Sequence, residues 1–266
     1  PHYLKLKNKL KKNKVKIFNS FDNLDKIINK KLDYIMCSIT GLAGLKPTID
    51  CIHLTKTIAI ANKESIICGW GLIHKKIKKF KTKFIPVDSE HFSIWSLLGD
   101  ESKSNIEEII ITASGGPFLN ISKKKFIKIK SKDAIKHPNW NMGKKISVDS
   151  ATLMNKVFEV VEAQKIFEVE CKKFKVLTHP QSYVHAIVKF KNGLTKILIH
   201  DTDMKIPIFN SIYYKSNKYL KTKKLDLKKI NNLNLKSVDT MKFPSIKFLK
   251  KINSNNTLFE TVLVSS

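Results

Sequence analysis

Apolar residues in the N-terminal part of the chain follow two alternating patterns, short continuous runs and longer stretches with a helical period. The short runs predict strands at 15–18, 34–39, 57–61, 84–87 and 109–113. Helical spacing predicts one helix that Ser20 caps, one that ends near His53, and one from about Ser65 to Phe80. Strands that alternate with helices are typical of a parallel sheet, in which ligands bind beyond the carboxyl ends of the strands.

The pattern changes near Asp88, where we place a domain boundary. Beyond it, apolar spacing predicts a long helix over 150–167. Two strand-like runs further on flank Asn192-Gly193, a dipeptide that favours a hairpin. We therefore predict an α/β chain of three parts. They are a parallel-sheet unit over 1–87, an α+β unit over 88–221 and a linker region over 222–266.

Composition limits the kinds of protein that the chain can be. Of its 266 residues, 42% are hydrophobic, which is enough for a sizeable core. The 50 basic residues against 22 acidic ones give a net charge of +28, and all the basic residues are lysine. Lysine lacks the planar fork with which arginine reads guanine and phosphate, so a sequence-specific nucleic-acid reader is disfavoured. The lysine excess fits either an anion-binding protein or AT-rich coding.

The sequence predicts neither a membrane segment nor a disulfide framework. No apolar run approaches the roughly 18 residues that a membrane-spanning helix needs. The four cysteines lie far apart in the chain, at Cys37, Cys51, Cys68 and Cys171. We expect reduced thiols, a cytoplasmic location, and no membrane or nucleic-acid partner.

Three acidic residues are candidates for a divalent-metal site. Asp88 and Glu90 follow an apolar strand, and Glu159 lies on a largely apolar helix. Helical spacing places Glu159 on one face with Asn155 and Glu162. Carboxylate oxygens are hard ligands that suit Mg²⁺ or Mn²⁺. The alternative, which the residues alone leave open, is that Asp88 caps the next helix, Glu90 lies in its first turn, and the helix glutamates pair with lysines.

Three stretches suit a phosphate group. Ser114-Gly115-Gly116 forms a glycine turn after a strand, Ser150 stands where the long helix is predicted to begin, and Asn155-Lys156 follows within that helix. Backbone N–H groups at turns and helix starts bind anions, and a lysine supplies the matching charge. Each stretch alone is more often an ordinary turn or cap.

A loop at 137–143 combines His137 with Trp140 and Met142. Large apolar side chains on a loop usually pack onto the domain beneath them. The alternative is a lid that closes over a substrate and excludes water. The remaining histidines show no spacing that is typical of a metal site.

Several longer motifs occur in a fixed order and together resemble one enzyme family. They are Ala61-Asn-Lys-Glu-Ser65, Pro86-Val-Asp-Ser-Glu-His91, Ala113-Ser-Gly-Gly-Pro-Phe118, the stretch from His137 to Lys156, Glu159, and His179-Pro-Gln-Ser182. These motifs are similar to those of the 1-deoxy-D-xylulose 5-phosphate reductoisomerase family, and the resemblance runs from about Asp33 to the end of the chain. It implies a partial Rossmann-type NADPH-binding domain over 1–87, a catalytic domain over 88–221, and a linker toward a C-terminal helical domain.

The resemblance also implies an activity, the NADPH-dependent rearrangement and reduction of 1-deoxy-D-xylulose 5-phosphate to 2-C-methyl-D-erythritol 4-phosphate on the non-mevalonate route to isoprenoid precursors. Mg²⁺, Mn²⁺ or Co²⁺ would be bound by Asp88, Glu90 and Glu159, which are implied to be catalytic together with Lys63. Substrate contacts are implied for Lys63, Ser89, Ser114, His137, Trp140, Met142, Ser150, Asn155, Lys156 and Met204. NADPH contacts are implied for Asn62, Glu64 and Gly143. The family also implies a homodimer.

The sequence departs from the family pattern at several places. No glycine-rich dinucleotide fingerprint precedes Val15, so we expect a fragment that lacks this segment and the C-terminal helical domain and has little or no activity by itself. Val157 replaces a usual glycine, and His200-Asp-Thr-Asp-Met204 replaces a version with glycine and proline. Two alternatives stay open, a lysine-rich protein that binds anions or nucleic acids, and a degenerate relative that retains only the sugar-phosphate site.

Overall fold

Eight strands and eleven helices make up the regular structure of the described part of the chain, residues 2–11, 17–22, 24–126, 128–140, 143–224 and 226–252 of a computed structural model. The strands are β1 (Leu32–Cys37), β2 (Thr55–Ile60), β3 (Lys83–Pro86), β4 (Ile106–Ala113), β5 (Phe174–Thr178), β6 (Val184–Phe190), β7 (Thr195–Ile199) and β8 (Lys236–Ser237). The helices are α1 (His2–Lys9), α2 (Leu24–Ile27), α3 (Leu45–Cys51), α4 (Lys63–Phe80), α5 (Ser89–Leu98), α6 (Lys123–Phe126), α7 (Ser131–Ala134), α8 (Lys144–Ala151), α9 (Met154–Phe167), α10 (Lys205–Ile212) and α11 (Leu227–Asn231). Shorter 3₁₀ turns occur between them, and a longer 3₁₀ segment covers Pro244–Lys251.

The first sheet contains β1, β2 and β3 in that order, and its strands are all parallel. Helix α3 connects β1 to β2, and α4 connects β2 to β3. Helix α4 begins where the Asn62 side chain accepts a hydrogen bond from the Ser65 N–H (2.7 Å), and it ends at Lys81 in the left-handed conformation. The predicted parallel sheet with crossover helices is thereby confirmed.

The second sheet is mixed and has the order β7-β6-β4-β5-β8. Strands β4 and β5 are parallel, whereas β6 is antiparallel to both β4 and β7. Asn192-Gly193 lies between β6 and β7, as the predicted hairpin requires, and Gly193 has a φ of 89°, which favours glycine. Because β6 runs in the opposite direction, its first residues lie at the same edge as the carboxyl ends of β4 and β5.

Two elements differ from the sequence-based prediction. The predicted helix over 150–167 is two helices, α8 and α9, because Leu153 between them has a φ of 59° and interrupts the helical path. Ser150 therefore lies in the last turn of α8 and not at a helix start. The predicted strand at 15–18 lies partly outside the described residues, and its other members, Ile17 and Phe18, are in no strand.

One hydrophobic cluster includes residues of both sheets. It contains Ile58 and Ile60 of the first sheet, Ile109 and Ile111 of the second, and Val160 of α9. Removal of these side chains from water therefore holds the two sheets together. The domain boundary near Asp88 stays a prediction. None of the helices in the described ranges is long and apolar enough to cross a membrane.

Helix α9 is buried along almost its whole length. It packs against α4 and against the 3₁₀ segment Pro244–Lys251, which contributes Ile246 and Leu249 to an apolar cluster with Val157. Part of the region predicted as a linker is thus structured, and β8 in the same region pairs with β5. Burial on several sides means that the polar residues of α9 lie inside the protein.

Candidate active site

A cavity of about 240 Å³ lies where β2 and β3 of the first sheet and β4 of the second sheet end. Ala61 follows β2, Asp88 follows β3 and Ser114 follows β4, and each of them lines the cavity. Every predicted catalytic or substrate residue that the structure describes is part of this lining. These residues are Lys63, Asp88, Ser89, Glu90, Ser114, His137, Trp140, Ser150, Asn155, Lys156, Glu159 and Met204. Met142 lies outside the described residues.

Asp88, Glu90 and Glu159 form the acidic part of the cavity. One oxygen of each carboxylate lies within 4.8 Å of the corresponding oxygens of the other two. Asp88 is also the N-cap of α5, where its side chain accepts a hydrogen bond from the Glu90 N–H (3.4 Å). The capping position and the acidic cluster, which the sequence left as alternatives, therefore occur together. The start of α5 holds Asp88 and Glu90 side by side, and the buried α9 places Glu159 against them.

Two buried lysines lie among these carboxylates. Lys156 Nζ donates hydrogen bonds to Glu159 Oε2 (2.6 Å) and to Glu90. Lys63 Nζ lies 3.3 Å from Asp88 Oδ2 and 3.7 Å from Glu159 Oε1. A buried carboxylate requires a partner, because an unpaired buried charge costs several kcal/mol, roughly. The lysines supply that partner within the chain itself.

Burial and neighbouring charges shift the pKa values of the cluster. Burial, together with Glu90, raises the pKa of Glu159 to about 7. Burial also opposes ionisation of Asp88, but Lys63 and His91 outweigh it and hold the pKa of this carboxyl well below its usual value. Burial disfavours the charged form of Lys156, yet Glu159 and Glu90 raise its pKa to about 12. Carboxylates that crowd one another in this way favour the binding of further positive charge.

His91 makes several polar contacts next to the carboxylates. The His91 Nε2–H donates a hydrogen bond to the Glu159 backbone oxygen (2.8 Å), and His91 Nδ1 lies 3.5 Å from both Asp88 Oδ1 and Glu162 Oε2. Burial disfavours the charged ring, but Glu162 and Asp88 outweigh it and raise the pKa of His91 to about 9. His91 had no role predicted from the sequence, although its position three residues after Asp88 on α5 was a usable signal.

Ser114 and Ser150 come together because Gly116 allows two backbones to approach closely. A Cβ at position 116 would lie 2.8 Å from Ser150 O and 2.9 Å from Ala151 Cα, and Gly116 has a φ of 61°. The turn after β4 therefore packs against the last turn of α8. The expectation that Ser150 offers a free helix start was wrong, so its contribution to an anion site would come from its side chain.

His137 fixes the hydroxyl of Ser114. His137 Nδ1 accepts hydrogen bonds from the backbone N–H groups of Asn139 (3.1 Å) and Trp140 (2.9 Å). Its Nε2–H therefore donates to Ser114 Oγ (2.9 Å). Burial, with Lys156 adding to it, lowers the pKa of His137 to about 4, so the ring is neutral at pH 7. The loop thus presents Trp140 to the cavity on an ordered hydrogen-bonded turn.

Asn155 and Lys156, which the sequence linked to phosphate, face the carboxylates. Asn155 Oδ1 accepts a hydrogen bond from Lys63 Nζ (2.7 Å), and its Nδ2 donates to Glu159. Lys156 is engaged by Glu90 and Glu159 as described above. Both residues thus contact the acidic part of the cavity, whose lining also includes Ser114 and Ser150.

The predicted NADPH contacts lie outside the lining of this cavity. The Asn62 amide is used within the fold, since its Nδ2 donates to Gly41 O (2.8 Å) and to a second backbone oxygen. Glu64 Oε1 lies 3.8 Å from Lys145 Nζ, in the first turn of α8, and Gly143 is the N-cap of that helix. Glu64 and Gly143 thus lie at the starts of α4 and α8, which this ion pair joins.

Some lining residues had no assigned role in the sequence analysis. Thr112, Ser182 and His185 all line the cavity. His185 is a polar residue within the buried, otherwise apolar start of β6, and that contrast was the available signal. Burial, with a smaller contribution from His200, lowers the pKa of His185 to about 4.

The fold and the site define an α/β protein with a buried carboxylate cluster of the kind that binds a divalent cation next to an anionic ligand. Models of three segments of one family match residues 1–70 (1-deoxy-D-xylulose 5-phosphate reductoisomerase), 84–167 (its C-terminal domain) and 199–266 (DXP reductoisomerase C-terminal domain). The chain belongs to the 1-deoxy-D-xylulose 5-phosphate reductoisomerase family.

Individual relatives agree with this assignment. The chain is 63% identical to the 1-deoxy-D-xylulose 5-phosphate reductoisomerase of Pelagibacter ubique, over 97% of this chain and 67% of that protein. It is 40% identical to the enzyme of the same name from Sulfurihydrogenibium sp., over 99% of this chain and 70% of the relative.

Solved structures of the family have the same fold. The reductoisomerase from Zymomonas mobilis in complex with NADPH superimposes with a TM-score of 0.84 at 34% identity, over 94% of this chain and 64% of that one. A DOX-P reductoisomerase in complex with NADPH, fosmidomycin and magnesium also gives a TM-score of 0.84, at 32% identity and the same coverage. The chain thus spans about two thirds of the length of its relatives.

Proposed function

We propose that the protein containing this chain converts 1-deoxy-D-xylulose 5-phosphate to 2-C-methyl-D-erythritol 4-phosphate, with NADPH as hydride donor, on the non-mevalonate route to isoprenoid precursors. The observation that carries this proposal is the convergence of Asp88, Glu90 and Glu159 with two buried lysines in one cavity. Such a cavity suits a substrate that combines oxygens able to bind a metal ion with an anionic group.

The carboxylates fit a divalent cation. They are hard oxygen donors, they crowd one another, and the pKa of Glu159 is raised to about 7 by burial and by Glu90. Asp88, Glu90 and Glu159 would hold the ion, which we propose to be Mg²⁺, Mn²⁺ or Co²⁺. When bound, it supplies Lewis-acid polarisation of substrate oxygens during the rearrangement.

The remaining lining residues bind and orient the substrate. Lys63 is placed by α4 beside the carboxylates, where its ammonium group can donate hydrogen bonds to the reacting oxygens, and Ser89 lies next to them. Ser114 and Ser150, brought together at Gly116, are proposed to hold the phosphate with Asn155 and Lys156. His137 orients Ser114 for this purpose.

The proposal also covers the walls of the cavity and the residues that contact NADPH. Trp140 and Met204 line the cavity, and we propose that they and Met142 exclude water from the substrate. Asn62, Glu64 and Gly143, at the starts of α4 and α8, would contact NADPH. By its resemblance to the family, the protein is proposed to be a homodimer in the cytoplasm.

Consumption of NADPH tests this function directly. The complete gene product that carries this chain should oxidise NADPH only when deoxyxylulose phosphate and Mg²⁺ or Mn²⁺ are both present. Asp88→Asn should abolish turnover, because it removes one carboxylate from the cluster. The matched control is Asp33→Asn, since Asp33 is exposed and forms a surface ion pair with Lys56. Absence of turnover in the wild type, or full activity of Asp88→Asn, would overturn the proposal.

The alternative functions have no specific observation in their favour. The described lysines that are buried face carboxylates of the cavity and not an open surface. The chain also retains every carboxylate of the cluster as well as Lys63 and Lys156. That is unexpected for a relative that retains only the sugar-phosphate site.

A further inference from the structure

Three aromatic rings form a row beside the substrate cavity. The rings of His185 and His200 are stacked face to face, with centroids 3.6 Å apart and an interplanar angle of 16°. Trp140 meets His185 edge-on, with centroids 6.0 Å apart and an angle of 72°. Trp140 and His185 line the cavity, whereas His200 is buried outside its lining. The row thus connects the loop that carries Trp140 to the end of β7.

The hydrogen bonds of His185 fix its ring. Its Nε2–H donates to the His200 backbone oxygen (3.1 Å), and the His200 backbone N–H donates to Tyr183 O (3.1 Å). His200 therefore holds His185 in two ways, through its backbone oxygen and through the stacked ring. Replacement of the His200 side chain removes the stacked ring and keeps the backbone hydrogen bond to His185, so these two contacts with His185 can be tested separately.

The His200 ring also fixes the turn that leads to Met204. Its Nδ1–H donates to Asp201 O (2.6 Å), and the same oxygen accepts a hydrogen bond from the Asp203 N–H (2.7 Å). Met204 follows immediately and lines the cavity. His200 Nε2 is buried and has no hydrogen-bond partner among the described residues, so the ring is kept there at a cost that hydrogen bonding does not offset.

We propose that His200 is a positioning residue for the substrate cavity. Its ring holds His185, and through His185 the edge of Trp140, while its bond to Asp201 fixes the turn before Met204. The proposal rests on the proposed function, because it assigns these walls to substrate binding.

Substrate binding should weaken when the ring is removed. In the complete gene product, His200→Ala should raise KM for deoxyxylulose phosphate about 2- to 10-fold, the range expected for one aromatic pair, with kcat nearly unchanged. His200→Phe keeps a flat ring and should recover most of the affinity. If His200 had only a structural role, both replacements would lower the free energy of unfolding, and phenylalanine would not selectively restore KM.

The position of Trp140 supplies a readout that does not depend on turnover. In the complete gene product labelled with 5-fluorotryptophan, the ¹⁹F resonances of Trp70, Trp95 and Trp140 are each assigned by the loss of one signal in the corresponding Trp→Phe variant. His200→Ala should shift the Trp140 resonance and leave those of Trp70 and Trp95 in place. The matched control is His74→Ala, because His74 stacks on Trp70 (5.3 Å, 9°) away from the cavity. It should shift the Trp70 resonance and leave KM unchanged.

The outcomes separate this proposal from the function on which it rests. Unchanged KM and an unmoved Trp140 resonance in folded His200→Ala would overturn it, as would equal losses in His200→Phe and His200→Ala. If His200→Ala does not fold, His200→Leu, which also lacks a ring, takes its place in the comparison with His200→Phe, and the same outcomes support or overturn the proposal. Failure of the wild type to turn over substrate would instead overturn the proposed function.

Discussion

Lys156 and Glu159 lie one turn apart on the buried helix α9 and are joined by a hydrogen bond of 2.6 Å. The same lysine also contacts Glu90 on α5, so a single internal cation links two carboxylates from distant parts of the chain. In the absence of a metal ion, this link offsets repulsion within the acidic cluster. It follows that the cluster can exist before a cation binds, at the expense of burying Lys156.

Removal of the Lys156 charge should make the stability of the protein depend strongly on a bound divalent cation. Lys156→Met leaves Glu90 without its buried cation and Glu159 with Lys63 alone, which should lower the free energy of unfolding by about 3 kcal/mol. Addition of Mn²⁺ should restore part of this loss. Denaturant unfolding with and without Mn²⁺ measures both effects.

The control for this variant is Lys172→Met. Lys172 is exposed and forms a surface ion pair with Glu170, so its replacement should change the free energy of unfolding by less than about 1 kcal/mol. Equal losses in the two variants would show that the internal lysine has no special role.

The close approach at Gly116 gives a second prediction. Gly116→Ala places a Cβ 2.8 Å from Ser150 O at a φ of 61°, so the turn after β4 and the last turn of α8 must separate. We expect the free energy of unfolding to fall by about 1–3 kcal/mol and the KM for the sugar phosphate to rise. Thermal unfolding and steady-state kinetics provide the measurements.

Gly71→Ala is the matched control, with an effect of opposite sign. Gly71 lies within α4, and no atom lies within 4 Å of a Cβ built there. Alanine in a helix interior should raise stability by about 0.5–1 kcal/mol. A Gly116→Ala protein as stable as wild type would contradict the contact with α8.

The neutral ring of His137 predicts a pH dependence of stability. Burial lowers its pKa from 6.5 to about 4, so the fold favours the unprotonated ring. The stabilisation from this group is present above pH 6.5 and is lost as the pH falls toward 4. His137→Asn keeps an acceptor for the backbone N–H groups but does not titrate. Its free energy of unfolding should therefore fall less than that of the wild type over this interval, and parallel curves would contradict the prediction.

Much of the fold followed from local patterns in the sequence. Alternating apolar runs were sufficient for the parallel sheet, and Asn192-Gly193 was sufficient for the β6–β7 hairpin, because both depend on residues close together in the chain. The break between α8 and α9 did not follow from such patterns, because Leu153 adopts a left-handed conformation that leucine rarely takes. Helix α9 packs on α4 and on the 3₁₀ segment Pro244–Lys251, and such tertiary contacts are not visible in a local pattern.

The candidate site likewise has one part that the sequence predicts and another that it does not. Asp88 and Glu90 are close together in the sequence, so their proximity was predictable. Glu159 was predicted to belong to the same cluster only from the family resemblance and from its spacing on the helix. The contact of His91 with Glu162 joins residues of α5 and α9, which are far apart in the chain. It depends on how these helices pack in the folded protein, which periodicity does not encode.

Binding of Mn²⁺ tests the central claim most directly, because it reports on the carboxylate cluster without requiring catalysis. Titration of the complete gene product, followed by the electron paramagnetic resonance signal of free Mn²⁺, should show one bound ion per chain. Asp88→Asn and Glu159→Gln should each weaken that binding strongly, whereas the exposed Asp33→Asn should not. Equal Mn²⁺ binding by the wild type and Asp88→Asn, or none by the wild type, would contradict a metal site at Asp88, Glu90 and Glu159.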